Sequence, residues 1–150
     1  MDPSAPRLDC TGTTPVVGYR HFHHDVSLNF QCNRWVEWLG PSAIGEVTEL
    51  AARCETYPEW IDGFLNLAEA ARKADRQLAS AYYDRAAEFF MSPDDPRKLG
   101  ARTRFVQTMW TLYDVSREEV PYAGSALPAL DLHPEAETGS TVVIFGGFDS

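Results

Sequence analysis

The sequence predicts a mainly α N-terminal region of about five helices, followed by the first strands of an incomplete α/β sheet. Three observations carry that expectation. Apolar residues recur at helical spacing from Asp25 to about Val115, two short extended runs flank a turn between Val120 and Leu132, and Thr141 to Phe145 is an unbroken apolar or β-branched run followed by Gly146-Gly147. The last pattern reads as a strand buried on both faces that opens into a loop where backbone amides can approach a ligand. A parallel strand needs a crossover and a neighbour. These 150 residues are therefore read as the leading part of a larger α/β enzyme.

Residues 1–18 are read as an extended arm, because Met1 to Pro15 holds Pro3, Pro6, Pro15, Gly12 and a run of threonines with almost no apolar periodicity. A helical region is expected over 19–116. Its first helix carries Leu28, Cys32, Trp35, Val36 and Leu39 on one face and stops at Gly40-Pro41. Ile44, Val47, Ala51 and Cys54 predict a second helix from Ser42 to about Glu55. Pro58 suits the start of a third, with Trp60, Phe64, Leu67, Ala68 and Ala71 as its apolar face.

A fourth helix is expected from about Arg76 to Phe90, with Leu78, Tyr82, Ala86 and Phe89 facing inward and Ser92-Pro93 closing it. Asp94 or Asp95 is placed to cap a fifth, with Pro96 at its first position and Leu99, Val106, Trp110 and Tyr113 along one face. Residues 117–150 then supply an antiparallel hairpin, with Ala123-Gly124-Ser125 as its turn, and the first buried strand. Pro121 and Pro128 place that hairpin at a sheet edge.

The formal charge of -9 with no basic stripe disfavours nucleic acid and anionic membrane as partners. Cys10, Cys32 and Cys54 are odd in number and match no metal-ligand spacing, so reduced structural thiols and a cytoplasmic protein are expected. Met1 to Val17 lacks the basic and apolar regions of a signal peptide, and no membrane-spanning run follows. No cofactor is implied.

The helical N-terminal region, the stretch "EEVPYAGSALPALDLHP", the polar linker and "TVVIFGGFDS" together resemble the opening of α/β-hydrolase-fold enzymes with an N-terminal helical cap. That group includes FrsA-like esterases, fungal polyketide-shortening hydrolases and the dihydroxypseudooxynicotine hydrolase. The Asn33-Arg34 pair in "FQCNRW" adds to the resemblance, which covers nearly the whole chain after Tyr19. It implies an incomplete α/β-hydrolase sheet, and a serine hydrolase acting on an ester, amide or C–C bond beside a carbonyl in a small-molecule substrate.

The resemblance also assigns backbone oxyanion-hole donors to Gly147 and Phe148. Preorganised amides at such a site are worth roughly 3 kcal/mol each as charge develops on the carbonyl oxygen. Many members begin this loop with His where this chain has Phe145; that His shapes the loop rather than reacting. The nucleophile in G-x-S-x-G, the acid and the triad histidine are absent from these residues, so the chain alone is expected to be inactive.

His21, His23 and His24 beside Asp25 are weighed as metal ligands and set aside, because ligands are normally recruited from separated elements or at i, i+4. They remain candidates for lining a substrate cleft in the cap. Trp35, Trp60 and Trp110 at helical spacing read as core. Alternating alanines and aromatics do not keep the period of a helical repeat, and the runs around Arg72 and Arg97 read as solvated faces. A second hypothesis stays open beside the hydrolase: a free-standing helical interaction module whose terminal strand adds to another chain. On either reading the apolar run at Val142 to Phe145 leads to an expectation of self-association, as a homo-oligomer or aggregate.

Overall fold

The computed structural model describes residues 18–133, 139–144 and 146. The described chain is mainly helical, with five helices followed by a two-stranded antiparallel sheet. It falls into two compact units, Met1–Leu112 and Tyr113–Ser150. The arm expected for 1–18 lies outside the described residues except for Gly18. Among the described residues no helix is long and apolar enough to cross a membrane.

In the first unit, α1 (Val26–Leu39) begins where the Asp25 carboxylate accepts the Leu28 N–H at 2.9 Å, and it stops at Gly40, whose φ of 75° few other residues adopt. Leu28, Cys32, Trp35, Val36 and Leu39 are all buried, as their spacing predicts. Pro41 opens α2 (Pro41–Ala51), which ends before the expected Glu55; Cys54 stays buried in the turn that follows. α3 (Tyr57–Lys73) starts with a capping box in which the Thr56 hydroxyl and the Glu59 carboxylate satisfy each other's backbone N–H groups. Trp60, Phe64, Ala68 and Ala71 form its buried face, with Leu67 half-buried. Each such aromatic contributes about 1.5–3 kcal/mol by leaving water.

The link from α3 to α4 (Gln77–Phe90) is tight. Arg76 N–H donates to Ala71 O at 2.9 Å and Asp75 N–H to Arg72 O at 3.1 Å, the bond pair of a Schellman ending, with Asp75 at φ 55° in the position glycine usually takes. α4 departs from expectation. Its buried residues include Ala81, Tyr83, Asp84, Ala86, Ala87 and Glu88, while Phe89 is exposed. The reason is its central place: α4 packs against α1, α3 and α5, so a single apolar stripe does not describe it. Ala86 lets Trp60 approach until the indole N–H donates to Ala86 O at 3.3 Å.

α5 (Lys98–Leu112) also differs. It begins past Pro96, because the Asp95 carboxylate takes the Arg97 N–H at 2.9 Å in a turn of its own and does not cap the helix at Pro96. Only Ala101 of α5 is buried; Leu99, expected inside, is 74% exposed, and Val106 and Trp110 are only partly covered. The side of α5 that meets α4 carries Ala101, Lys98, Arg104 and Phe105, whose ring meets Tyr82 edge-on with centroids 6.2 Å apart, so ion pairs and a partly covered apolar face together hold it there.

In the second unit, β1 (Ser116–Tyr122) and β2 (Ser125–Asp131) pair antiparallel, with Tyr122 opposite Ser125 and Ser116 opposite Asp131. β1 starts four residues before the expected Val120, in the charged Arg117-Glu118-Glu119 stretch. Ala123 (φ 48°) and Gly124 (φ 79°) make a two-residue turn of the mirror-image type that matches strand twist. Cross-strand bonds in such a hairpin run through every second pair from Tyr122–Ser125. Pro121 and Pro128 fall on the intervening pairs, where their nitrogens face outward and no ladder bond is lost.

The buried strand expected at Thr141 to Phe145 is not observed. Thr141 to Ile144 has no regular structure and pairs with neither strand of the hairpin, and Val142 and Ile144 are 82% and 88% exposed. A strand is defined by its ladder, and an apolar run without a partner strand cannot form one. Phe145 lies outside the described residues.

Candidate functional site

The segment from Arg20 to Asp25 has no regular structure, yet two asparagines on successive turns of α1 hold it. Asn29 Oδ1 accepts the N–H groups of Phe22 at 2.6 Å and His23 at 3.2 Å. Asn33 Oδ1 accepts the Arg20 N–H at 2.8 Å, while its Nδ2 donates to Arg20 O at 2.9 Å. The side-chain amides thus pair with backbone groups as a neighbouring strand would. This fixes the backbone from which the three histidines project.

His23 is buried, and both ring nitrogens are used. A carbonyl only accepts, so Nε2 donates to Cys54 O at 2.8 Å, and Nδ1 accepts the Asp25 N–H at 2.9 Å. The Nε2–H tautomer follows, with no lone pair left for a metal or a substrate proton. The ring meets Trp60 edge-on and stacks on His24 with centroids 4.2 Å apart. His24 is exposed, and with His23, Asp25, Glu55, Thr56 and Tyr57 it lines a groove of about 460 Å³ between the first turns of α1 and α3. His21 is exposed and is not part of that lining.

The groove offers an imidazole, a phenol, a hydroxyl and two carboxylates, which can hold a polar group by hydrogen bonds. The helix N-termini beside it are already occupied by Asp25 and by the Thr56–Glu59 box. Glu59 is held below the usual carboxylate range, chiefly by the backbone N–H of Glu55 and then by Thr56. The thiols nearby are not nucleophiles. Burial pushes Cys32 up to about 12, with Cys54 adding to the effect, and burial also raises Cys54. Among the described residues no group of His, Cys, Asp or Glu could hold a metal ion.

Three carboxylates that the sequence reading passed over organise the rest of the helical unit. Glu46 of α2 takes both nitrogens of the Arg76 guanidinium, at 2.7 and 3.1 Å, and the Tyr83 hydroxyl at 2.5 Å. Burial pushes the Glu46 carboxyl up, but these hydrogen bonds outweigh it and leave the group below its ordinary value. Tyr83 is raised by burial and then by Glu46. Asp84, 1% exposed, accepts from Arg72 of α3 at 2.8 Å and bidentately from Arg104 of α5. Glu88, also buried, pairs with Arg85 and with Lys98, whose Nζ also donates to the Glu88 and Met91 carbonyls. Helical periodicity gave no signal for them, because Glu46, Asp84 and Glu88 all lie off the predicted apolar faces and most of their cationic partners are far along the chain.

Gly147 and Phe148, the residues assigned to the oxyanion hole by resemblance, lie outside the described residues; Gly146 is described and exposed. No family model matches the chain, and no curated protein matches it.

Proposed function

We propose that this chain is the helical cap and the leading strands of an α/β-hydrolase-fold serine hydrolase, which acts on an ester, amide or C–C bond beside a carbonyl of a small molecule. The observation that carries the reading is the asymmetry of the hairpin. β1 is charged through Arg117-Glu118-Glu119, the composition of a strand at a sheet margin, whereas β2 has Ala126, Leu127, Ala129 and Leu130 on both of its faces. A strand that is apolar on both faces suits a sheet covered on both sides, and the exposed Val142 to Ile144 run beyond it offers another such strand. Within this reading Gly147 and Phe148 supply oxyanion donors, and His24 faces substrate from the cap. The histidine His23 acts only by holding His24 in place.

The same exposed run also favours the second reading, a helical interaction module whose apolar segment adds to a partner's sheet. One experiment separates them. The reading frame past Ser150 is sequenced and the whole product is treated with a fluorophosphonate probe and with p-nitrophenyl acyl esters. The hydrolase reading expects a downstream G-x-S-x-G, then an acid and a histidine, and stoichiometric labelling of that serine, with residues 1–150 alone unlabelled. A stop at Ser150, or a whole product that the probe does not label, overturns it.

A further inference from the structure

We propose that α5 is a releasable helix, latched to the α3–α4 pair by ions and able to undock while the remaining helices keep their fold. The first observation is how little of it is fully buried: Ala101 alone, with Phe105 partly covered and edge-on to Tyr82 at 6.2 Å between centroids, whereas α1, α3 and α4 each bury several side chains.

The second is how its charges are arranged. Each of the two buried carboxylates it reaches has two cationic partners, one on α5 and one elsewhere. Asp84 is shared between Arg104 of α5 and Arg72 of α3, and Glu88 between Lys98 of α5 and Arg85 of α4 itself. Removing the sole partner of a buried charge is strongly unfavourable, because an uncompensated ion is left in a low-dielectric site. Here the departure of α5 strands neither carboxylate.

The cations that leave are themselves partly exposed, Arg104 at 44% and Lys98 at 29% of the side chain, so they regain water readily. Arg97, just before the helix, forms a further ionic contact, to Asp62 of α3 at 2.6 Å. Only Tyr113, Asp114 and Val115 separate the end of α5 from β1. This inference stands apart from the hydrolase reading, since it rests on the helical unit alone.

The test is hydrogen–deuterium exchange read by mass spectrometry on the full chain, wild type and the single variants R104Q and K98Q. In the wild type, α5 amides exchange faster than those of α1, α3 and α4. In each variant α5 exchange rises roughly tenfold further while α1 to α4 keep their protection. Wild-type protection of α5 equal to that of α3 and α4 overturns the proposal. So does either variant if it speeds α3 and α4 together with α5, or leaves α5 unchanged. Both substituted side chains lie at the surface end of their pairs and each carboxylate keeps a partner, so the fold survives for the comparison.

Discussion

Gly63 of α3 lies directly against Leu50 of α2: a Cβ built on Gly63 falls 2.2 Å from Leu50 Cδ1 and 3.2 Å from Cδ2. Leu50 is buried, so it has no free direction in which to retreat. Gly63→Ala gains about 1 kcal/mol of helix propensity but overpacks the α2–α3 contact at about 1–3 kcal/mol. A net loss of about 1 kcal/mol in urea unfolding is expected. The loss caused by Leu50→Ala is correspondingly smaller in the Gly63→Ala background than in the wild type, since the truncated side chain makes room for the methyl.

Glu46 gives the helical unit a pH dependence with a definite sign. Its folded value lies below the ordinary 4.5, so its stabilising contribution is complete above 4.5 and fades as pH falls through the folded value. Glu46→Gln, which weakens the bonds to Arg76 and Tyr83, is expected to cost about 1–2 kcal/mol at pH 7, discounted for the partly exposed pair. Unfolding curves at pH 7 and pH 3 check this. The difference between variant and wild type narrows at the lower pH.

Cys32 and Cys54 are expected to resist alkylation. With Cys32 pushed up to about 12 and both thiols buried, iodoacetamide at pH 8 modifies neither at an appreciable rate until denaturant is added. Peptide mapping reads the result residue by residue. Rapid modification of Cys32 in the native chain contradicts the packing of α1 given above.

How much of this was legible depended on what each residue had to do. Trp60, Phe64, Leu28 and Trp35 could be placed inside from spacing alone, because an amphipathic helix with one covered side has only one solution. α4 could not be read this way. It is covered on several sides, so Asp84 and Glu88 are buried off the predicted stripe, tolerable only because Arg72 and Arg104 pair with Asp84 and Arg85 and Lys98 with Glu88. β1 was misplaced for a related reason: Arg117-Glu118-Glu119 has no apolar alternation, and its extension is dictated by β2 across the ladder. His23 was legible as a feature but not as a role, since nothing local announces that Cys54 O and the Asp25 N–H use both of its nitrogens. The apolar run at Val142 to Ile144 has strand composition, but composition supplies no partner.

The hairpin turn can be improved. Ala123 holds a φ of 48°, which a side chain with a Cβ adopts at some cost and which asparagine tolerates better. Ala123→Asn is expected to stabilise the hairpin by about 0.5–1 kcal/mol. Slower amide exchange at Val120 and Leu127, the next pair beyond Pro121–Ala126, checks it.

The Schellman link at Asp75, joined to the capping box at Thr56, has a consequence for the order in which the protein assembles. Both ends of α3 are signalled within a few residues, and α4 turns back onto it through Ala74, Asp75 and Arg76 alone, so this pair closes with little loop entropy. We expect this pair to form the folding nucleus: substitutions at Ala68 or Ala86 should slow refolding in proportion to their destabilisation, while substitutions on α5 mainly speed unfolding. On a chain growing from the ribosome, Asp84 meets Arg72 and Glu88 meets Arg85 while Lys98 and Arg104 are still inside the exit tunnel. The double pairing of those carboxylates gives the half-synthesised chain a compact intermediate whose buried charges are already compensated.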